Sequence, residues 1–116
     1  MRAKSDENWR VGNQCLAAGD LNAAASRLYY AVFEAVLYYA KVKKGYVRRP
    51  GVSVHSLMGQ YVRSVGKGRV LYSRVFAMMM GLRETADYEP ETPEEVQSLL
   101  HHLDEIRQYF LGLAEN

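Results

Sequence analysis

Apolar residues recur at helical spacing in five stretches, separated by glycine, proline and capping residues. Ser5 followed by Asp6 and Glu7 reads as a helix start, with acids at the positive end of the helix dipole. Trp9, Val11 and Leu16 form a weak stripe behind it, which Gly19 ends. Asp20 then caps a second helix, from about Leu21 to Lys44. Its residues Ala25, Leu28, Val32, Ala35, Val36 and Tyr39 share one face. Ala23, Arg27, Tyr30, Glu34 and Lys41 follow the opposite face. A helix apolar around most of its circumference packs on several sides, so this one is expected at the centre. Gly45 to Ser53 is a basic loop punctuated by Pro50 and Gly51. Ser53 caps a third helix carrying Leu57, Met58, Tyr61, Val62 and Val65, and Gly66-Lys67-Gly68 breaks it. A fourth helix is expected from about Arg69 to Asp87. One stripe holds Leu71, Val75, Met78, Met79, Leu82 and Ala86; its neighbour holds Tyr72, Phe76, Met80, Arg83 and Asp87. Thr92-Pro93-Glu94-Glu95 is a strong start for a last helix, bearing Val96, Leu99, Leu100, Leu103, Ile106 and Phe110. Strand-like alternation is scarce. The pattern predicts one all-α domain over residues 1–116, an antiparallel, up-and-down bundle of about five helices.

Composition narrows this further. A chain of 116 residues, 48% of them hydrophobic, fits a single domain with its own core. Leu21 to Ala40 is long enough to cross a bilayer, but Arg27 and Glu34 lie within it, and ionised groups are expensive there. No membrane association is expected. Met1 to Arg10 is charged and has no apolar centre, so it does not read as a signal peptide. Cys15 is the one cysteine, expected as a small buried hydrophobe. A single thiol can neither staple the fold nor build a zinc site, which favours a reducing, cytoplasmic setting.

Net charge is only +2, yet its distribution is uneven. No acid falls between Glu34 and Glu84, an interval that includes Lys41, Lys43, Lys44, Arg48, Arg49 and Arg63. From Glu84 to Glu105 the chain is acidic without Lys or Arg. Either the two segments balance each other within the molecule, or the basic one presents a surface to phosphate, RNA or an acidic partner.

Several side chains could carry chemistry. Arg27, Tyr30 and Glu34 lie within two turns of the second helix and form either a satisfied network or a phosphate-binding arginine oriented by a glutamate. Arg83 and Asp87 share a face four residues apart, flanked by Phe76 and Met80, which suits a dimer interface or a ligand. His55, beside the basic loop, is a candidate acid/base group. His101 and His102 are adjacent on a helix and diverge, so no metal site is expected. No phosphate loop or other cofactor motif appears.

The run Ala24-Ala-Ser-Arg27-Leu-Tyr-Tyr30-Ala-Val-Phe-Glu34-Ala35, then His55-Ser-Leu57, then Arg83-Glu-Thr-Ala-Asp87-Tyr88 resembles the HEPN domain family. It looks closest to the short stand-alone branch with an Arg-x-x-Ala-Asp-Tyr segment. The resemblance spans about Gly19 to Phe110 and implies a helical bundle that forms a homodimer. It also implies a possible minimal nucleotidyltransferase partner in a toxin–antitoxin-like pair. Active members are metal-independent endoribonucleases with an arginine, four to six residues, then a histidine at the dimer interface. Arg83 matches the arginine, but Tyr88 stands where the nearest histidine would be. Tyrosine's reference pKa is about 10, so Tyr88 alone would be a poor base. The resemblance thus implies a module that binds nucleotide, RNA or the nucleotidyltransferase through Arg27, Arg83 and the basic loop with Arg48 and Arg49. The enzyme alternative uses Arg83 with Tyr88 or His55.

Overall fold

A computed structural model describes residues 2–65, 70–84 and 93–116, with side chains described outside 66–71 and 81–98. Five helices make it up: α1 (Arg2–Ala17), α2 (Leu21–Lys43), α3 (Val54–Val65), α4 (Val70–Glu84) and α5 (Pro93–Glu115). No strand occurs among the described residues. These are the helices that the apolar spacing predicts, and α2 is central, packed against all four others.

The local signals act where the sequence puts them. Gly19 takes a positive φ of 81°, where a side chain would be strained, and turns the chain after α1. Asp20 then accepts the Ala23 N–H at 3.2 Å and caps α2. The Ser53 hydroxyl accepts the Ser56 N–H at 3.3 Å at the start of α3. Ser5, by contrast, is not a cap. α1 begins at Arg2, and Ser5 is buried in its interior, donating to the Ala31 carbonyl at 2.7 Å. Small residues let α1 approach α2 closely. A Cβ added at Gly12 would lie 2.7 Å from the Leu28 side chain and 3.1 Å from its backbone nitrogen.

Leu28, Val32, Val36 and Tyr39 of α2 are all buried, as expected for the central helix. Tyr29, Ala31 and Phe33 are buried as well, so the covered arc exceeds the predicted stripe. Met58 and Val62 of α3 close the core on one side, and Leu103, Ile106, Phe110 and Leu111 of α5 close it on another. In α4 the core arc is Val75, Phe76 and Met79. Phe76, 1% exposed, packs its ring 5.5 Å from that of Tyr29, so it fills this chain's own core and cannot serve the expected dimer face. Met78 is the exposed methionine of that run. Cys15 is half-buried against the core.

α1 runs antiparallel to both α2 and α5. Its start is tied to the end of α5 by Arg2–Glu115 at 2.7 Å and by Asp6–Arg107 at 2.8 Å. The loop after α2 doubles back along that helix. Tyr46, Val47 and Arg48 lie beside Lys41, Leu37 and Phe33, and the loop delivers His55 to Tyr29 and Phe33.

Candidate functional site

Arg27, Tyr30 and Glu34 do come together, on the outer face of α2. With Lys4, Glu7 and Asn8 of α1 they line an open depression. It continues past Lys4 and Glu34 to Leu37, Tyr38 and Lys41. Arg27 is exposed, as its place opposite the apolar stripe implies, and donates to the neutral Asn8 Oδ1 at 3.2 Å. Glu7 is held by Arg10 at 2.6 Å, whose hydrogen bond and charge keep the Glu7 carboxyl below its ordinary range. The groove therefore mixes Arg27, Lys4 and Lys41 with Glu7 and Glu34. Two carboxylates on its walls oppose any bound anion.

The buried arginine is Arg107 on α5, which the sequence reading missed. It is 6% exposed, donates to Asp6 Oδ1 at 2.8 Å and lies 5.0 Å over the Trp9 ring. A signal existed, because Arg107 continues the apolar spacing of Leu100, Leu103, Leu111 and Ala114. Burial pulls the Asp6 carboxyl upward. Hydrogen bonds from Arg107 and Arg2, with their charges, outweigh that and hold it below its ordinary value. Arg107 joins α1 to α5 and is structural.

His55 sits at the start of α3 inside an aromatic cluster rather than on the loop surface. Its ring stacks on Phe33 at 4.5 Å, and Tyr30 meets it edge-on at 6.1 Å. Its Nδ1 lies 2.7 Å from the hydroxyl of the fully buried Tyr29. This bond gives the Tyr29 hydroxyl a partner and fixes the imidazole between α2 and α3. The Arg83 side chain, Asp87 and Tyr88 lie outside the described residues. His101 and His102 both approach Glu105, at 2.9 and 3.9 Å.

The basic loop is a built feature. Gly45 takes a φ of 64°, which lets the Lys44 and Tyr46 N–H groups both donate to the Ala40 carbonyl at 3.0 Å and close the end of α2. Pro50 and Gly51 then form a tight turn, Gly51 with φ 79° and the Val52 N–H reaching the Arg49 carbonyl at 3.4 Å. Arg48 and Arg49 project between these two anchors, both exposed and without an ion pair among the described residues. Two depressions meet at Tyr46 and Val47. One is lined by Lys44, Arg49, Val52, Leu57 and Tyr61, the other by Phe33, Leu37, Lys41, Arg48 and Val54. Among the described residues, no acid lines either one. Positive charge is thus concentrated at the loop, while the Arg27 groove is nearly balanced.

No family model matches this chain, and neither the curated proteins nor the solved structures contain a match to it. Among the described residues, no helix is long and apolar enough to cross a membrane, and no three potential metal-ligating side chains converge.

Proposed function

We propose that this protein is a HEPN-like helical module that binds RNA through the loop between α2 and α3. The observation that carries the proposal is Arg48 and Arg49, exposed and without an ion pair among the described residues, held on a loop anchored at both ends, with Lys41 and Lys44 beside them and no acid among the described residues that line the adjoining depressions. Phosphate is the ligand such a surface favours, because each neutralised phosphate releases condensed counterions. Arg27, in its mixed-charge groove, plays a lesser part. The family resemblance adds a homodimer and a possible minimal nucleotidyltransferase partner, and a free nucleotide would meet the same cations.

The test is the salt dependence of binding to single-stranded RNA. Replacing Arg48 and Arg49 with alanine removes two phosphate contacts and should lower the slope of log affinity against log salt by about 1.4. Binding that ignores salt, or that survives the double substitution unchanged, would overturn the proposal. Cleavage that resists chelators and disappears in a folded Arg83→Ala variant would replace binding with metal-independent endoribonuclease activity at Arg83 and Tyr88. A shift from monomer to dimer mass in light scattering at micromolar concentration would support the homodimer.

A further inference from the structure

The two depressions that meet at Tyr46 have a composition that phosphate binding alone does not require. Each has an apolar floor, Leu57 and Val52 in one and Phe33, Leu37 and Val54 in the other. Each also has two cations at its edge, Lys44 with Arg49 and Lys41 with Arg48. Their volumes are about 350 and 450 Å3. Two tyrosines are held in place there. The Tyr46 main chain is fixed by its N–H bond to the Ala40 carbonyl at 3.0 Å, and its half-buried side chain packs against the core. Tyr61 is braced edge-on by the buried Tyr39, with ring centroids 6.3 Å apart. The exposed Val47, 73% accessible, stands beside Tyr46 at the junction.

We propose that these depressions are adjacent nucleobase subsites that select single-stranded over double-stranded RNA. One base lies against Tyr46 and Tyr61, the next beside Tyr46 over Leu37 and Val54, and the phosphates lie over the four cations. The assignment rests on the RNA-binding reading above and specifies its substrate. A base offers a flat apolar face to an aromatic floor whatever its identity, whereas a duplex keeps its bases stacked inside and offers only phosphates. A preorganised tyrosine loses little side-chain freedom on binding. An acidic peptide would satisfy the cations but would leave Tyr46 and Tyr61 without a stacking partner.

The experiment compares three probes by fluorescence anisotropy at one salt concentration: an oligouridylate, an abasic ribose-phosphate strand of the same length, and an RNA duplex. The oligouridylate should bind about tenfold or more tightly than the abasic strand, since base stacking on an aromatic ring adds to the phosphate contacts and the abasic strand lacks it. Tyr46→Ala should erase that preference and leave abasic binding nearly unchanged, while Tyr46→Phe should keep it. Equal affinity of the native protein for the abasic strand and the oligouridylate overturns the base subsites, and this comparison needs no variant. The phosphate-binding reading survives that result if binding still weakens with salt and falls in the Arg48 and Arg49 double variant. Duplex binding as tight as oligouridylate binding also rejects the selection. Absence of binding to all three probes rejects both readings.

Discussion

Asp6→Ala should destabilise the protein by about 2 kcal/mol, although Asp6 itself is largely at the surface. The reason lies in its partner. Arg107 is 6% exposed, and its Nη1 reaches Asp6 Oδ1 at 2.8 Å. Breaking a buried pair from one side costs about 3–5 kcal/mol, because the surviving charge stays buried without compensation. Two features lower that figure here. The Asp6 side chain is 47% exposed, so water already shares the interaction. Asp104 Oδ1 also remains 3.7 Å from Arg107 Nε and returns part of the lost field. The lost contact with the exposed Arg2 adds little, since water screens such a pair. Arg107→Met removes the buried charge rather than stranding it. It should cost about 1 kcal/mol, chiefly the contact over Trp9 and some packing. In the Arg107→Met background, Asp6→Ala should then be nearly silent. Urea unfolding of the four proteins, with unchanged denaturant slopes, measures the cycle. Simple additivity, or an Asp6→Ala cost under about 0.5 kcal/mol, would refute the stranded-charge argument.

Three further outcomes follow from the same structure. The Asp6 carboxyl is held below its ordinary value when folded, so its contribution is fully present above the unfolded pKa of about 4 and is lost as pH falls through the lower folded value. The stability gap between native protein and Asp6→Ala should therefore close in acid, and a gap that persists there would point to another cause. Gly12→Ala gains about 1 kcal/mol of helix propensity but forces a methyl group to 2.7 Å from the buried Leu28 side chain. Overpacking costs about 1–3 kcal/mol, so a net loss of up to about 2 kcal/mol is expected, and a raised melting temperature would contradict the close approach of α1 and α2. Arg27→Ala should change RNA affinity by less than about twofold, whereas losing Arg48 and Arg49 together should cost about tenfold or more at moderate salt. Equal effects in a filter-binding titration would move the anion site to the groove between α1 and α2.

The sequence by itself determined the helices and their order. Those signals are short-range: Gly19 and Gly45 relieve positive φ, Asp20 and Ser53 cap through groups three residues away, and apolar spacing reports one helix at a time. The basic loop was legible for the same reason, as an acid-free interval broken by Pro50 and Gly51. Only the tertiary structure decided which polar residues lie inside. Arg27 and Arg107 both sit within apolar helical patterns, yet Arg27 is exposed beside Asn8 and Arg107 is buried against Asp6, about a hundred residues away. Ser5 looks like a cap until Ala31 of α2 is placed against it. His55 reads as a loop-side acid/base group until the doubled-back loop sets it on Phe33 and the Tyr29 hydroxyl. Spacing along one helix gives the direction in which a side chain points. What it meets depends on a second helix whose approach is set by packing across the whole core.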